Sequence, residues 1–125
     1  MKYLLDTHAL LWTIFEPSKL STEAQEIILD RDNIICVSLV SLWEISIKKN
    51  IGRLDIPEEF FEVVRTGGFE ILTLTMDQIE QYQTLPLHHR DPFDRMLVVQ
   101  ALQQKLILIT RDSKISKYDL EILKA

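Results

Sequence analysis

The feature that most constrains this chain is an alternation. Short, nearly continuous apolar runs recur, and between them lie stretches whose apolar residues return at helical intervals. The runs are Tyr3–Leu5, Ile34–Val37, Glu70–Leu74 and Leu106–Ile109. Largely continuous hydrophobicity, rather than strict alternation, is the pattern of strands covered on both faces. The intervening segments read as helices. Thr22 followed by Gln25 fits a capping box, after which Ala24, Ile27 and Ile28 recur at helical spacing. Leu39, Trp43, Ile47 and Ile51 recur every four residues, an amphipathic stripe. Pro57–Arg65 opens with proline at a first-turn position and stops before Gly67-Gly68; Met76–Leu85 and Pro92–Gln104 complete the set. Strands alternating with helices imply βαβ units, right-handed crossovers and a mostly parallel sheet.

At 125 residues the chain fits one domain, residues 1–125, without repeats or a Gly/Ser/Pro linker. No apolar stretch reaches the ~20 residues of a membrane span. Met1-Lys2 leads directly into a strand rather than a signal peptide, and Cys36 is the sole cysteine. Disulfide scaffolds and multi-cysteine zinc sites are thereby excluded, and a cytoplasmic location is expected. The net charge of −5 argues against nucleic-acid binding through a broad basic surface. It leaves room for an acidic site whose missing positive charge is a bound cation.

In open α/β sheets the ligand crevice lies outside the carboxyl ends of the strands. Several acids fall there. Asp6 directly follows the first strand, and Asp112 follows the last clear strand in "LILITRD". Asp94 lies in the first turn of the helix opened by "RDPFDRMLVVQAL", and Glu44 about two turns into "SLVSLWEISIKK". Singly, each has an ordinary explanation. Asp6 and Asp112 suit helix caps, Asp91 before Pro92 is a cap outright, and Glu44 can pair with Lys48 four residues on. Together they repel, and an unpaired buried carboxylate is costly, unless a divalent cation fills the gap. An oxygen-only donor set without a cysteine cluster or obvious histidine pair points to Mg²⁺ or Mn²⁺. Hydrolysis of a phosphodiester by metal-activated water is the chemistry such a set serves. Ser38 and Thr110, both at strand ends, are candidates to orient a carboxylate or water; for Ser38 an ordinary turn hydrogen bond is the favoured role.

With these residues in place, the sequence resembles the PIN domain family, specifically VapC-type toxin ribonucleases of bacterial type II toxin–antitoxin pairs. "LLDTHALLW", "SLVSLWEISIKK", "HHRDPFDRMLVVQAL" and "LILITRD" look like the family's successive motifs, in order across nearly the whole chain. The resemblance implies a three-layer α/β/α PIN-like fold with a central, mostly parallel sheet of four to five strands. By position, Asp6, Glu44, Asp94 and Asp112 match the acidic metal-binding set, with Thr110 as the supporting hydroxyl. It further implies an endoribonuclease using Mg²⁺ or Mn²⁺ on RNA, a homodimer, and silencing by a cognate antitoxin.

Arg90, Arg95 and Arg111 flank the acids and are candidates for holding substrate phosphates or balancing the carboxylates. His88 and His89 precede the Asp91 cap and could contact phosphate or metal, but adjacent side chains point apart in most backbones, which disfavours a shared ion site, and they are read as loop residues. Trp12 and Trp43 are expected in core or dimer packing, and Lys48, Lys49 and Arg53 on a solvated face. Two other readings remain. A receiver-like regulatory domain also gathers aspartates at a sheet's carboxyl edge, but its paired acid and its lysine after the last strand are missing here. A non-catalytic PIN-like interaction module would use the acids only to grip a partner's basic arm. A haloacid-dehalogenase-type phosphatase is disfavoured, because no second aspartate stands two residues after Asp6.

Overall fold

Five strands form one sheet in the computed structural model, which describes residues 1–125. They are β1 (Lys2–Leu5), β2 (Ile34–Ser38), β3 (Glu70–Leu72), β4 (Ile107–Thr110) and β5 (Ile122–Lys124). All neighbours pair in parallel, in the order β3-β2-β1-β4-β5. The helices are α1 (Thr7–Phe15), α2 (Thr22–Leu29), α3 (Leu39–Asn50), α4 (Phe60–Thr66), α5 (Met76–Tyr82) and α6 (Pro92–Gln104).

The continuous apolar runs have a direct physical reason. Successive strand side chains point to opposite faces, so a strand covered twice must be apolar at every position. Tyr3 and Leu5 join Ile35, Val37 and Ile109 in a core closed by residues of α1 to α4, among them Leu10, Ala24, Ile45 and Phe60. Leu4, Cys36 and Leu108 face the other way, against Leu97, Val98 and Ala101 of α6. The result is the expected three-layer α/β/α arrangement. From β1 the chain builds outward to β3, then returns to the opposite side of β1 for β4. β1 and β4 therefore flank a topological switch point, where open α/β sheets form their ligand crevice. This order is not the 2-1-3-4-5 of receiver-like folds, so the receiver reading is set aside.

Several local expectations need correction. The cap of α2 is Ser21, one residue before Thr22; its side chain accepts from the Ala24 amide. Pro57 lies in a turn before α4, which starts at Phe60. The third strand and α5 end early, at Leu72 and Tyr82. The Leu39/Trp43/Ile47/Ile51 stripe is not the core face of α3: Leu39, Trp43 and the C-cap Ile51 are exposed and Ile47 is half-buried, while Val40, Ser41, Glu44 and Ile45 are buried. Polar Ser41 and Glu44 disguise the inner face in the sequence. Trp43, 62% exposed, packs edge-to-face on Phe93 rather than in the core. No helix is long and apolar enough to cross a membrane.

Candidate metal centre

The four acids arrive on four different segments beside the β1–β4 crevice. The Asp6 amide still donates to the Ile109 carbonyl (3.1 Å), so its side chain leaves the sheet at the switch point. Asp6 caps α1: Oδ1 accepts from the Ala9 amide at 2.7 Å. Its other oxygen, Oδ2, accepts from Thr110 Oγ1 at 2.6 Å. Capping and site membership are therefore not alternatives for this residue, because each uses its own oxygen. Burial pushes the Asp6 carboxyl above its ordinary value, against the Thr110 and Ala9 hydrogen bonds and the charge of His8, with Asp112 adding to the rise. Thr110 also accepts from the Asp112 amide at 3.1 Å, and so links two of the acids.

Glu44 is buried on the inner face of α3. Oε1 accepts from Thr7 Oγ1 at 2.6 Å, and Oε2 from Lys48 Nζ at 2.8 Å. The expected pair with Lys48 is thus present and engages one of the two oxygens. Asp94 sits in the first turn of α6, above the Asp91 cap, whose Oδ1 accepts from the Phe93 and Asp94 amides. No backbone amide or hydroxyl reaches the Asp94 carboxylate; its close partner is His89 Nε2 at 3.1 Å. Burial first, then the charges of Asp91, Asp6 and Glu44, push it up to about 7, while His89 pulls the other way. Asp112 accepts from the Lys114 amide through Oδ1 (2.8 Å) and lies 2.7 Å from His89 Nε2 through Oδ2. Its burial acts to raise it, but the Lys114 and His89 hydrogen bonds and the charges of both residues outweigh this and hold it below its ordinary value.

Asp94 feels the charges of Asp6 and Glu44, and Asp6 that of Asp112, so the acids lie within electrostatic reach along this chain of neighbours. Local amides take one oxygen each from Asp6 and Asp112 and none from the Asp94 or Glu44 carboxylates. A set of carboxylates that includes an under-compensated acid suits a hard divalent cation such as Mg²⁺ or Mn²⁺, and these four residues are the candidates to hold it.

The remaining candidates divide. Ser38 is fully buried and caps α3, accepting from the Val40 amide (3.1 Å), which is the ordinary turn role. Arg90 is exposed beside the site. Arg95 does not fit a phosphate-binding role. It is buried, and its guanidinium donates to the carbonyls of Leu85, Pro86 and His89 and to the hydroxyls of Tyr82 and Tyr118. Arg111 likewise turns away. It donates to the carbonyls of Ala125 and Lys19, and stacks 4.5 Å over the Trp12 ring. The sequence reading missed two residues at the site. Thr7 orients Glu44, and its signal was its place directly after Asp6. His89, taken as an ordinary loop residue, reaches both Asp94 and Asp112. No local spacing signals this, because the contact to Asp112 spans 23 residues.

Comparison with known proteins agrees with this architecture. No curated protein matches the chain in sequence. Among solved structures, it is similar to VapBC2 from Rickettsia felis bound to a DNA fragment from their promoter, with a TM-score of 0.75, 17% identity, and 98% of each chain covered. DNA-bound VapBC from Salmonella typhimurium gives a TM-score of 0.70 at 20% identity, covering 98% of this chain and 97% of that one. FitAcB from Neisseria gonorrhoeae gives 0.65 at 18%, covering 99% and 97%. At such identities the likeness concerns the fold. A family model described as PIN domain matches residues 3–121, nearly the whole chain and all four acids, so the chain belongs to the PIN domain family.

Proposed function

We propose that this protein is a metal-dependent endoribonuclease acting as the toxin of a toxin–antitoxin pair. The observation that carries the reading is the convergence of Asp6, Glu44, Asp94 and Asp112 from four segments on the switch-point crevice, with Asp94 raised to about 7 by burial and by its fellow acids. The cation they would hold is Mg²⁺ or Mn²⁺; when bound it supplies charge neutralisation and activation of water for phosphodiester hydrolysis. The chain's own residues prepare that chemistry. Thr110 and the Ala9 amide fix the two oxygens of Asp6, and Thr7 and Lys48 fix those of Glu44. Of the three arginines near the acids, exposed Arg90 is the one free to meet a substrate phosphate.

The toxin role is supported by the solved relatives, which include VapBC assemblies and a toxin–antitoxin complex from Klebsiella pneumoniae. In the same reading the partners are RNA, a cognate antitoxin and a second copy of the chain, in the cytoplasm. The apolar outer face of α3, with Trp43 at its centre, is the surface best suited to a protein partner.

The test is incubation of purified protein with total RNA and Mn²⁺, with and without chelator. Cleavage is expected with metal alone, and is expected to vanish in Asp6→Asn and Asp94→Asn proteins that retain their melting transition. Cleavage persisting in both variants overturns the nuclease assignment. An intact RNA profile together with capture of a basic antitoxin arm by the four acids favours the interaction module instead.

A further inference from the structure

His89 is the histidine of the site, and distance alone presents it as a ligand. One ligand atom each from His89, Asp94 and Asp112 lie within 4.8 Å of one another. A mixed nitrogen–oxygen set of this kind would draw the site away from Mg²⁺ towards metals that favour imidazole. The hydrogen bonding of the ring says otherwise.

The Asp91 backbone amide donates to His89 Nδ1 at 3.0 Å. A peptide N–H always carries its proton, so Nδ1 must present a lone pair. An imidazole with Nδ1 unprotonated carries its proton on Nε2. That nitrogen faces Asp112 Oδ2 at 2.7 Å and Asp94 Oδ2 at 3.1 Å, and both oxygens are acceptors for it. A metal-ligating imidazole requires the reverse arrangement, with the far nitrogen donating and the near one bare. We propose that His89 is a positioning residue: its Nε2–H ties Asp94 to Asp112 and sets the spacing of these two acids, without itself ligating the cation. This rests on the reading that the four acids hold a cation.

The surroundings of the ring are built for such a role. His89 is 9% exposed. Its amide donates to the Tyr118 hydroxyl (3.2 Å), and its carbonyl accepts from Arg95 (3.2 Å). The Asp91 that fixes the tautomer also caps α6 and so sets the first turn carrying Asp94. His89, Asp91 and Asp94 are thus joined by hydrogen bonds in one turn, and the imidazole extends from it to the acid beyond β4. The buried guanidinium of Arg95 finds its purpose here: it holds the carbonyls of Leu85, Pro86 and His89 from beneath.

Three measurements test the assignment. In the metal-free wild-type protein, the ¹⁵N–¹H correlation of the imidazole should show Nε2 protonated and Nδ1 bare, and the pattern should persist when Mg²⁺ is added. Pulsed EPR of bound Mn²⁺ should show no directly coordinated imidazole nitrogen. Mn²⁺ affinity should fall roughly tenfold in His89→Ala, the usual cost of losing an outer-sphere partner. His89→Gln, whose amide presents an N–H near the position of Nε2, should restore it to within about threefold of wild type. A ring protonated on Nδ1, or an imidazole nitrogen coupled to Mn²⁺, overturns the proposal. So does unchanged affinity in a folded His89→Ala protein. Absence of any Mn²⁺ binding to wild type defeats the cation reading itself. The metal-free tautomer, read independently of metal, still decides whether Nε2–H joins the two acids.

Discussion

The two faces of α3 run opposite to the usual rule. The inner face carries Ser41 and Glu44 into the protein, alongside Val40 and Ile45, while the outer face offers Leu39, Trp43 and Ile51 to solvent. The inner face tolerates a buried carboxylate because Thr7 and Lys48 each satisfy one of its oxygens. The outer face has no such compensation: Leu74, Met76 and Ile79 are exposed as well, and Phe93 packs against Trp43. Polar groups directed inward signal chemistry, and apolar groups directed outward signal association. In the proposed reading the two functions stand back to back on this helix, so substitutions should separate them.

The largest separation is expected in catalysis. Glu44→Ala should lower RNA cleavage at least about 100-fold, since losing a share of a cation's charge stabilisation costs several kcal/mol. Trp43→Ser, on the opposite face, should leave the rate within about twofold. Comparing initial rates at saturating Mn²⁺ checks both. A rate equally impaired by the two substitutions would erase the distinction between the faces.

Stability offers the next test, at the acid whose value Glu44 helps to raise. The Asp94 carboxyl holds its proton more tightly when folded, at about 7, than at its ordinary value of 3.8, so ionising it opposes folding. In chelator, wild-type stability should therefore fall as pH rises from about 4 to 7 and level off above, a loss from Asp94 on the order of 4 kcal/mol. Asp94→Asn should remove its own share of this slope, leaving that of the raised Asp6 carboxyl, and be the more stable protein at pH 8. A wild-type melting temperature that is flat or rising between about pH 5 and 7, above the range in which the lowered Asp112 carboxyl ionises, counts against the cluster.

Adding cation should reverse that penalty. At 100 times its dissociation constant, Mg²⁺ or Mn²⁺ should stabilise the wild type by about 2.7 kcal/mol through mass action. Glu44→Gln should lose most of this gain, and Trp43→Ser none of it. Thermal melts at stepped Mn²⁺ concentrations provide the reading, and equal gains in all three proteins would mean that Glu44 holds no cation.

These contrasts mark what the sequence made legible. Asp6 and Asp112 could be located because an acid directly after a strand is fixed at the sheet edge by the chain itself. The continuous runs identified the inner strands for a similar reason, since burial on both faces dictates every residue. β5 could not be read this way: Ile122–Lys124 is a short edge strand next to Glu121, with too little apolar pattern to register. The inner face of α3 was obscured because Ser41 and Glu44 are buried for their hydrogen bonds and not for hydrophobicity. Arg95 stood among the acids in sequence, yet its direction is set by the carbonyls of Leu85, Pro86 and His89, which no spacing announces. Chain-local causes could be read from the sequence, whereas causes that required a distant partner could not.

The smallest expected effect is the most informative about the outer face. An exposed residue without buried hydrogen bonds contributes little to folding, so Trp43→Glu should shift stability by no more than about 0.5 kcal/mol and leave Mn²⁺ binding intact. The side chain does lean on Phe93 with ring centroids 5.4 Å apart, and loss of that contact accounts for the small cost expected. A charge placed at the centre of an apolar docking surface should, in contrast, weaken association with a second copy or an antitoxin, visible as a smaller species by light scattering or as failure to co-purify with the partner. A large fall in melting temperature without any change in association would make Trp43 a structural residue and leave the outward apolar stripe without a function.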